Sequence, residues 1–310
     1  MFLGGAKRVS MAEHFIRKGR AAGADVQIFS YELHAEVPVS EVATIIPGLK
    51  WNDSELLPHI KRVIAENNIE IVIPFLDPAT FVAAQLQVDI PQLFVPVSDE
   101  NVCRLFFSKI QAYSWCVEHK IPVPANDLSS FPLIAKPDKG SASKGIVILH
   151  NGAELEEFLS RHDVRDYLVQ KFIKGTEYTV DAYRSCSIGN INYLVPRVRL
   201  EVQGGESIRT RTIKHAQIAK LSRLIIEKSG LMGAITLQYL EDGITGEVYF
   251  MEVNPRFGGA VVTTIGAGVN VAHVVLNDFL KEKTEEITDW EENLLMMRRF
   301  REIYKHANHH

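Results

Sequence analysis

The chain has 310 residues, 46% of them hydrophobic, which is enough for two or three domains with apolar cores. Its formal net charge of −4 argues against a general nucleic-acid or membrane-surface binder, because such proteins normally carry a basic excess. The three cysteines show no CxxC spacing, and there is no apolar run of membrane-spanning length and no signal-peptide pattern, so we expect a cytoplasmic protein without zinc or disulfides.

The first hundred residues alternate between strand and helix patterns. Strands are predicted at 1–3, 25–31, 69–75 and 93–97, and helices from about Ser10, over 53–67 and before 93. This alternation predicts a parallel sheet covered on both faces, with ligands at the carboxyl ends of its strands. The first strand is short, which leaves open that native residues precede Met1.

Two loops lie at that predicted edge. The loop from Gly4 to Arg8 lacks GxGxxG spacing, so a dinucleotide site, a substrate-contact loop and a plain turn all remain open. Asp77 follows the strand at 69–75 and is compatible with either a substrate contact or a helix N-cap.

A long helix is predicted from Ser98 to Lys120, where Pro122 and Pro124 prevent its continuation. This helix marks a domain boundary. Beyond it strands dominate as far as Asn254, with helices near 153–160 and 214–228, so the second half is predicted to be α+β with antiparallel pairing.

Two segments of the second half suit a nucleotide. Lys136 lies on the strand 131–137, followed by the Gly/Ser/Lys loop 138–145, whose backbone N–H groups resemble a phosphate-binding lid. The segment 168–181 reads as strand, Gly turn and strand. Its backbone at 171–173 could satisfy a purine edge and Glu177 could accept from ribose hydroxyls, although an ordinary hairpin is the alternative.

A predicted hairpin carries the strongest signal for a metal. Its strands are 235–240 and 247–253, and a turn centred near Thr245 places Gln238 opposite Glu252, with Asn254 on the same face. Oxygen donors of this kind suit Mg²⁺, and Arg256 adds a planar cation for phosphate or carboxylate oxygens. Alone, Glu252 could equally be a solvated edge residue.

The order of these segments resembles the ATP-grasp superfamily, specifically carboxylate–amine ligases and carbamoyl phosphate synthetase large-subunit-like proteins, over nearly the whole chain. The segments that carry the resemblance are IPFLDP, LIAKP, GSASKG, VQKFIKGTEYTVD, VPRVRLEVQGGE and NPRFGGA. It implies an α/β pre-ATP-grasp domain with a parallel sheet at 1–98 and a linking helix at 99–124. An α+β, two-lobed ATP-grasp domain follows, with a small lobe bearing the glycine-rich lid at 125–185 and a large lobe bearing the metal site at 186–310.

The resemblance also implies site residues, with ATP and one or two Mg²⁺ ions, or Mn²⁺, as cofactors. ATP would contact Lys109, Lys136, Ser141, Ser143, Gly145, Gln170, Lys171, Phe172, Ile173 and Glu177. The metal ligands would be Gln238, Glu252 and Asn254; Arg256 would contact the transferred phosphoryl group, and Arg199 and Arg211 would face the reacting carboxylate. Substrate contacts are expected at Arg8, Asp77, Gly258 and Gly259.

Simpler interpretations of some of these residues stay open. Arg199 and Arg211 could be surface arginines, Gly258 and Gly259 could serve only a turn, and Lys109 could be a solvated helix charge. Ser108 precedes Lys109 where this branch usually has Asp. The segment 294–304 fits both strand and helix periods, and the resemblance favours a strand returning to the core.

The implied reaction is ATP-dependent amide formation through an acyl phosphate, with a small-molecule carboxylate and an amine as partners and neither nucleic acid nor membrane. A homodimer is one alternative for the assembly. Three other functions are considered: a carbamoyl phosphate synthetase-like unit, a regulatory module that only binds ATP, and a nicotinamide-dependent oxidoreductase with Glu32 as ribose acceptor. The missing GxGxxG counts against the last of these.

Overall fold

The structure, a computed structural model, describes residues 1–140, 144–299 and 301–304. Within these residues the strands form a four-stranded, a six-stranded and a three-stranded sheet. Ser141 and Ser143, two of the predicted ATP contacts, lie outside the described residues.

The four-stranded sheet is parallel, in the order β3-β2-β1-β4, which confirms the predicted fold of the first hundred residues. Its strands are β1 (Phe2–Leu3), β2 (Phe29–Glu32), β3 (Thr44–Pro47) and β4 (Ile73–Pro74). The helices between and after them are α1 (Val9–Ala21), α2 (Leu56–Glu66) and α3 (Asp77–Asp89). The loops after β1 and β4 therefore meet at one edge of the sheet, as expected.

Three predicted strands of this region are shorter than expected. The strand expected at 69–75 is confined to β4, which has two residues. The strand expected at 25–31 begins only at Phe29, because its neighbour β1 offers a pairing partner only from Phe2 onward. The strand expected at 93–97 is reduced to a bridge between Phe94 and Ile71. Pro91 and Pro96 flank that bridge, and since proline has no N–H to donate, the ladder cannot extend.

The single helix predicted from 98 to 120 is wrong, because the chain breaks at Ser108. The two pieces are α4 (Glu100–Phe107) and α5 (Lys109–Glu118). Ser108 has extended backbone angles and caps α5, since its Oγ accepts from the Gln111 N–H. Its hydroxyl also donates to Asp138 Oδ1 at 2.7 Å, a contact across thirty positions that no local pattern reveals.

The three-stranded sheet is antiparallel, in the order β6-β5-β7. It consists of β5 (Leu133–Pro137), β6 (Val147–Leu149) and β7 (Tyr167–Lys171), with α6 (Gly152–Arg161) between the last two. The side chains of Leu133, Ala135, Phe158 and Val169 form its small apolar core.

The six-stranded sheet has the order β12-β11-β8-β9-β10-β13, and all its pairs are antiparallel. Its strands are β8 (Gly175–Arg184), β9 (Ile191–Gln203), β10 (Glu206–Thr212), β11 (Gly233–Asp242), β12 (Val248–Asn254) and β13 (Leu295–Met297). The accompanying helices are α7 (Ala216–Ser229), α8 (Val262–Gly266) and α9 (Val271–Phe279).

Strands β7 and β8 lie in different sheets, so the segment 168–181 is not an ordinary hairpin. β8 falls inside the predicted small lobe of 125–185 but pairs with β9 and β11 of the large sheet. The ambiguous segment 294–304 contains the strand β13, which lies at the edge of the large sheet, with Met297 exposed, rather than in the core. The other domain boundaries stay predictions.

One apolar core extends from the parallel sheet into the large sheet and its helices. Phe75, directly after β4, stacks on Phe257 with ring centroids 6.1 Å apart. This contact brings the carboxyl edge of the parallel sheet against the end of β12. No helix among the described residues is long and apolar enough to cross a membrane.

Candidate active site

The β11–β12 hairpin places three predicted metal ligands together. Gln238 lies directly opposite Glu252 in the ladder, as the turn count predicted. Glu252 Oε1 accepts hydrogen bonds from the side-chain amides of both Gln238 and Asn254, the latter at 3.2 Å. One carboxylate and two amide groups thus form a connected cluster on one face of the hairpin.

This cluster has the chemistry of a magnesium site. Its donors are all oxygen-bearing, and one carboxylate beside neutral ligands suits Mg²⁺, which completes its octahedron with water and phosphate. Among the described residues no group of three or more His, Cys, Asp and Glu could hold a metal. The residues present fit Mg²⁺, and their role as ligands stays a prediction.

Two arginines hold the remaining amide oxygens of the cluster. Arg199 Nη1 donates to Gln238 Oε1, and Arg256 Nη2 donates to Asn254 Oδ1 at 3.2 Å. Burial lowers the pKa of Arg199, against the opposing charge of Glu177, whose carboxylate lies 3.4 Å from Arg199 Nε. Both guanidinium groups are therefore positioned beside the predicted metal ligands.

Two lysines face the cluster from the small sheet and from α5. Lys136 on β5 is buried, with its ammonium 3.4 Å from Gln170 Oε1, and burial lowers its pKa to about 8. Lys109 begins α5 and donates to the Gly140 carbonyl at 3.0 Å. It is therefore attached to the glycine-rich loop and is not the freely solvated charge considered above.

A first cavity, which we call the nucleotide cleft, lies between the small and large sheets. The side chains and loop residues that line it include Lys109, Lys136, Lys139, Gly140, Lys144, Ile146, Glu177, Arg199, Gly205, Gln238 and Glu252. Gly145 lies between two of these lining residues and has a φ of 73°, a left-handed angle that favours glycine. Lysines thus surround a cleft whose far wall is the metal cluster.

The segment 170–173, which is predicted to contact ATP, forms several hydrogen bonds within the protein itself. Gln170 is buried and donates to the Pro124 carbonyl, so its side chain holds Lys136 in place. The N–H groups of Lys171 and Phe172 donate to Ala125 and Pro132 carbonyls. Of this segment, Ile173 keeps a backbone N–H that is not bonded within the described residues, whereas Glu177 is exposed at the cleft.

A second cavity, which we call the substrate cavity, lies between the parallel sheet and the large sheet. It is lined by predicted substrate residues together with several others: Arg8, Phe75, Leu76, Asp77, Thr179, Arg197, Arg199, Gly205, Glu206, Gln238, Glu252, Asn254, Arg256, Gly258 and Gly259. Asp77 accepts from Arg256 Nε at 2.6 Å, a contact that joins the two sheets' ends. Gln238, Glu252 and Arg199 line both cavities, so the metal cluster forms the wall between them.

Among the three arginines predicted to act in the reaction, Arg211 stands apart. Arg211 on β10 is exposed and does not line either of these two cavities. The structure therefore does not bring it to the cluster, and its position fits the alternative of a surface arginine.

Sequence reasoning missed three charged residues near the substrate cavity. Glu206 pairs with Arg8 at 2.8 Å and lies 3.5 Å from Arg298, while Asp181 pairs with the buried Arg197 at 2.9 Å. Glu206 directly follows the Gly204–Gly205 turn, and an acid next to such a turn was the available signal. Arg298 gave none, because its partner lies far away in the sequence, whereas Asp181 lies only 16 positions before Arg197 on the preceding strand.

Known families and proteins match this arrangement. A family model described as "ATP-grasp in the biosynthetic pathway with Ter operon" matches residues 163–299, which include β8 to β13 and the metal cluster. Residues 163–299 thus match an ATP-grasp domain. The carbamoyl phosphate synthase large chain of Clostridium beijerinckii is 26% identical over 174 residues, which are 51% of this chain but only 16% of that protein.

Solved structures share this fold along most of the chain. The biotin carboxylase domain of Hydrogenobacter thermophilus 2-oxoglutarate carboxylase, solved with MgADP and bicarbonate, has a TM-score of 0.74 at 15% identity over 95% of this chain and 72% of that one. Staphylococcus aureus N5-carboxyaminoimidazole synthetase with ADP has a TM-score of 0.72 at 16% identity, over 92% and 78%. Bacillus licheniformis L-amino acid ligase has 0.66 at 18%, over 86% and 70%. At these identities the likeness concerns the fold.

Proposed function

We propose that this protein is an ATP-dependent ligase that joins a carboxylate to an amine through an acyl phosphate. One observation carries the proposal: Gln238, Glu252 and Arg199 line both the lysine-rich nucleotide cleft and the arginine-rich substrate cavity. A nucleotide phosphate in the cleft and a carboxylate in the cavity would meet at this common wall, as phosphoryl transfer between them requires.

The chain's own residues suit the charges of that reaction. Lys136 and Lys109 would bind the phosphates, and Gln238, Glu252 and Asn254 would hold Mg²⁺. When bound, the metal would supply positive charge that offsets the charge of the phosphates. Arg256 and Arg199 would stabilise the charge of the transferred group and orient the carboxylate, since a guanidinium fork matches both oxyanions.

The reaction would proceed in two displacements. A carboxylate oxygen attacks the terminal phosphorus of ATP; the new O–P bond gives the acyl phosphate as the bond to ADP breaks. The amine nitrogen then attacks the carbonyl carbon, the C–N bond forms, the C–O bond to phosphate breaks, and the amine loses its proton. No side chain needs to act as a covalent nucleophile.

The names of the similar structures support this class of reaction. They include a synthetase, an L-amino acid ligase and a biotin carboxylase domain, two of them solved with ADP. A carbamoyl phosphate synthase-like activity is the second candidate, favoured by the sequence relatives, of whose length this chain matches only 16%. The homodimer and the cytoplasmic location both stay predictions.

The test is a screen of phosphate release. Purified protein with Mg-ATP is assayed against pools of carboxylic acids, amino acids and amines, with bicarbonate as a separate acid. We expect release that requires both an acid and an amine. Release with bicarbonate alone would favour the carbamoyl phosphate synthase-like activity, and ATP binding without release from any pair would support a regulatory module instead.

Glu252→Gln is the variant that links the screen to the site. It removes the one carboxylate of the cluster while keeping its shape, so we expect at least about a hundredfold loss of release, as for loss of a charge-stabilising group. Glu227→Gln on α7 is the matched control, because Glu227 is an exposed carboxylate of the same sheet's covering helix. Equal activity of both variants would contradict the metal assignment.

A further inference from the structure

The substrate cavity contains an ion pair that the proposed reaction does not use. Arg8, in the loop after β1, donates to both oxygens of Glu206, at 2.8 Å and 3.4 Å. The Arg8 side chain is 11% exposed and that of Glu206 is 32% exposed, and both line the cavity. A two-pronged pair of this kind is rigid and partly desolvated, although it lies where a substrate would enter.

Three separate parts of the chain contribute the charged groups around this ion pair. Arg8 comes from the parallel sheet, Glu206 from the start of β10, and Arg298, just after β13, lies 3.5 Å from Glu206 and donates to the Ser207 carbonyl. A Cβ on Gly259 would lie only 2.6 Å from Glu206 Cδ, so the missing side chain makes room for this carboxylate.

Glu206 is held in its ionised form. Burial alone would raise its pKa, but the hydrogen bonds and charge of Arg8 and the charge of Arg298 outweigh burial and lower it. The carboxylate can therefore bind a cation at neutral pH. Arg8 and Arg298 can bind an anion there.

We propose that the Arg8–Glu206 pair is the binding site for a zwitterionic α-amino acid, whose carboxylate binds Arg8 and whose ammonium binds Glu206. The inference rests on the proposed function and makes this amino acid the amine substrate. The exchange replaces one ion pair by two, so no charge is left unpaired. A cation on Glu206 would leave the partly buried Arg8 without a partner, and an anion on Arg8 would leave Glu206 with only Arg298, at 3.5 Å, so a molecule with a single charge is less favourable.

The site lies in the same cavity as the predicted metal ligands. Glu206 follows Gly205, a residue that lines both cavities and whose carbonyl accepts from Arg199 Nη2 at 3.2 Å. Arg199 in turn contacts Gln238 of the metal cluster. The amino group on Glu206 would thus lie in the cavity whose wall is expected to hold the acyl phosphate. The bound ammonium would release one proton to solvent before its nitrogen attacks, while the α-carboxylate on Arg8 stays out of the reaction.

Calorimetry with the purified protein tests the proposal. Each of the twenty L-amino acids is titrated in the presence of Mg²⁺ and a non-hydrolysable ATP analogue, and the analogue alone is titrated separately. We expect at least one amino acid to bind, and its carboxamide and its deaminated acid to bind at least about tenfold more weakly, because each lacks one charge. Binding of none of the twenty would overturn the proposal.

Glu206→Gln gives the decisive comparison. We expect this substitution to lower the affinity for the amino acid by at least about tenfold and to leave the affinity for the ATP analogue unchanged. Glu201→Gln, on β9 outside both cavities, is the control and should bind like the wild type. An unchanged affinity in Glu206→Gln, or a deaminated acid that binds as tightly as the amino acid, would overturn the zwitterion site. Failure of the analogue to bind the wild type would instead count against the proposed function.

Discussion

Lys136 is the buried cation of the nucleotide cleft, and its environment makes it sensitive to pH. Burial, the largest influence, lowers its pKa to about 8, while the charges of Glu252 and Glu177 oppose the shift and that of Lys109 adds to it. The folded pKa lies below the unfolded value of about 10.4. The cost of burying the charged ammonium therefore lowers the stability of the folded protein to its full extent below pH 8. This penalty is relieved as the pH rises from about 8 towards the unfolded value.

This shift predicts a pH dependence of ATP binding. Phosphates favour the charged lysine, so the affinity for Mg-ATP should fall as the pH rises through about 8. Lys136→Met should weaken binding at pH 7 by about tenfold or more, through loss of a charge-assisted hydrogen bond, and should remove the dependence near pH 8. Titrations between pH 6.5 and pH 9.5 measure both effects.

Lys220→Met, on the exposed side of α7, serves as the control and should keep the wild-type profile. If Lys136→Met shows the same fall in affinity through pH 8 as the wild type, another group titrates and the assignment of Lys136 is wrong.

Whether the contact of a residue could be predicted depended on how many positions separate it from its partner in the sequence. Gln238 and Glu252 could be paired by counting across one turn, because a ladder of period two fixes the register. The pairing of Arg8 with Glu206 joins residues 198 positions apart. Only the packing of two domains creates such a contact, and no local pattern encodes it.

At the scale of elements, strands β8 and β9 are joined by a buried ion pair. Arg197 and Asp181 are 3% and 2% exposed, with Arg197 Nε 2.9 Å from Asp181 Oδ2. Thr264 of α8 donates to the same carboxylate at 2.8 Å. The pair therefore ties the floor of the substrate cavity to the helix that follows the metal hairpin.

Breaking this pair should strongly destabilise the protein. Arg197→Leu leaves Asp181 buried without its cation, and we expect a loss of about 3 to 5 kcal/mol in the free energy of unfolding, measured with urea. Arg209→Leu, an exposed arginine of the neighbouring strand, should change it by less than about 0.5 kcal/mol. Similar effects of the two variants would show that the buried pair contributes no more than a surface pair.

Element types were largely predictable, whereas their ends and breaks were not. Periodic apolar patterns correctly predicted the parallel sheet and the antiparallel hairpin, since burial on one or two faces imposes those patterns. The break at Ser108 depends on Asp138, which belongs to the glycine-rich loop. The placement of β7 and β8 in different sheets likewise depends on tertiary pairing that alternation alone cannot specify.

At the scale of the whole molecule, the substrate cavity exists only because two sheets meet. Phe75 stacks on Phe257, and Asp77 holds Arg256 at 2.6 Å across the same junction. The orientation of Arg256 at the metal cluster therefore depends on the parallel-sheet domain. The order of motifs along the chain predicted that these parts belong together, but not which side chains would touch.

A substitution at this junction should lower phosphate release without changing the affinity for Mg-ATP. Asp77→Asn weakens the contact that orients Arg256, so acid- and amine-dependent phosphate release should fall roughly ten- to hundredfold, as for a misplaced catalytic group. The Kd for Mg-ATP should stay within about twofold, because the lysines of the cleft are untouched. Asp25→Asn, an exposed acid of the same domain, is the control. An equal loss of ATP binding and release in Asp77→Asn would contradict the division into two cavities.

Isotope transfer measures whether a carboxylate oxygen attacks the terminal phosphate of ATP. A carboxylate substrate found in the phosphate-release screen is labelled with ¹⁸O in both oxygens and turned over with Mg-ATP and its amine. Mass spectrometry then measures the label in the released phosphate. We expect one ¹⁸O atom in each molecule of released phosphate. Amide product accompanied by unlabelled phosphate would contradict the acyl phosphate, and with it the role assigned to the wall between the two cavities.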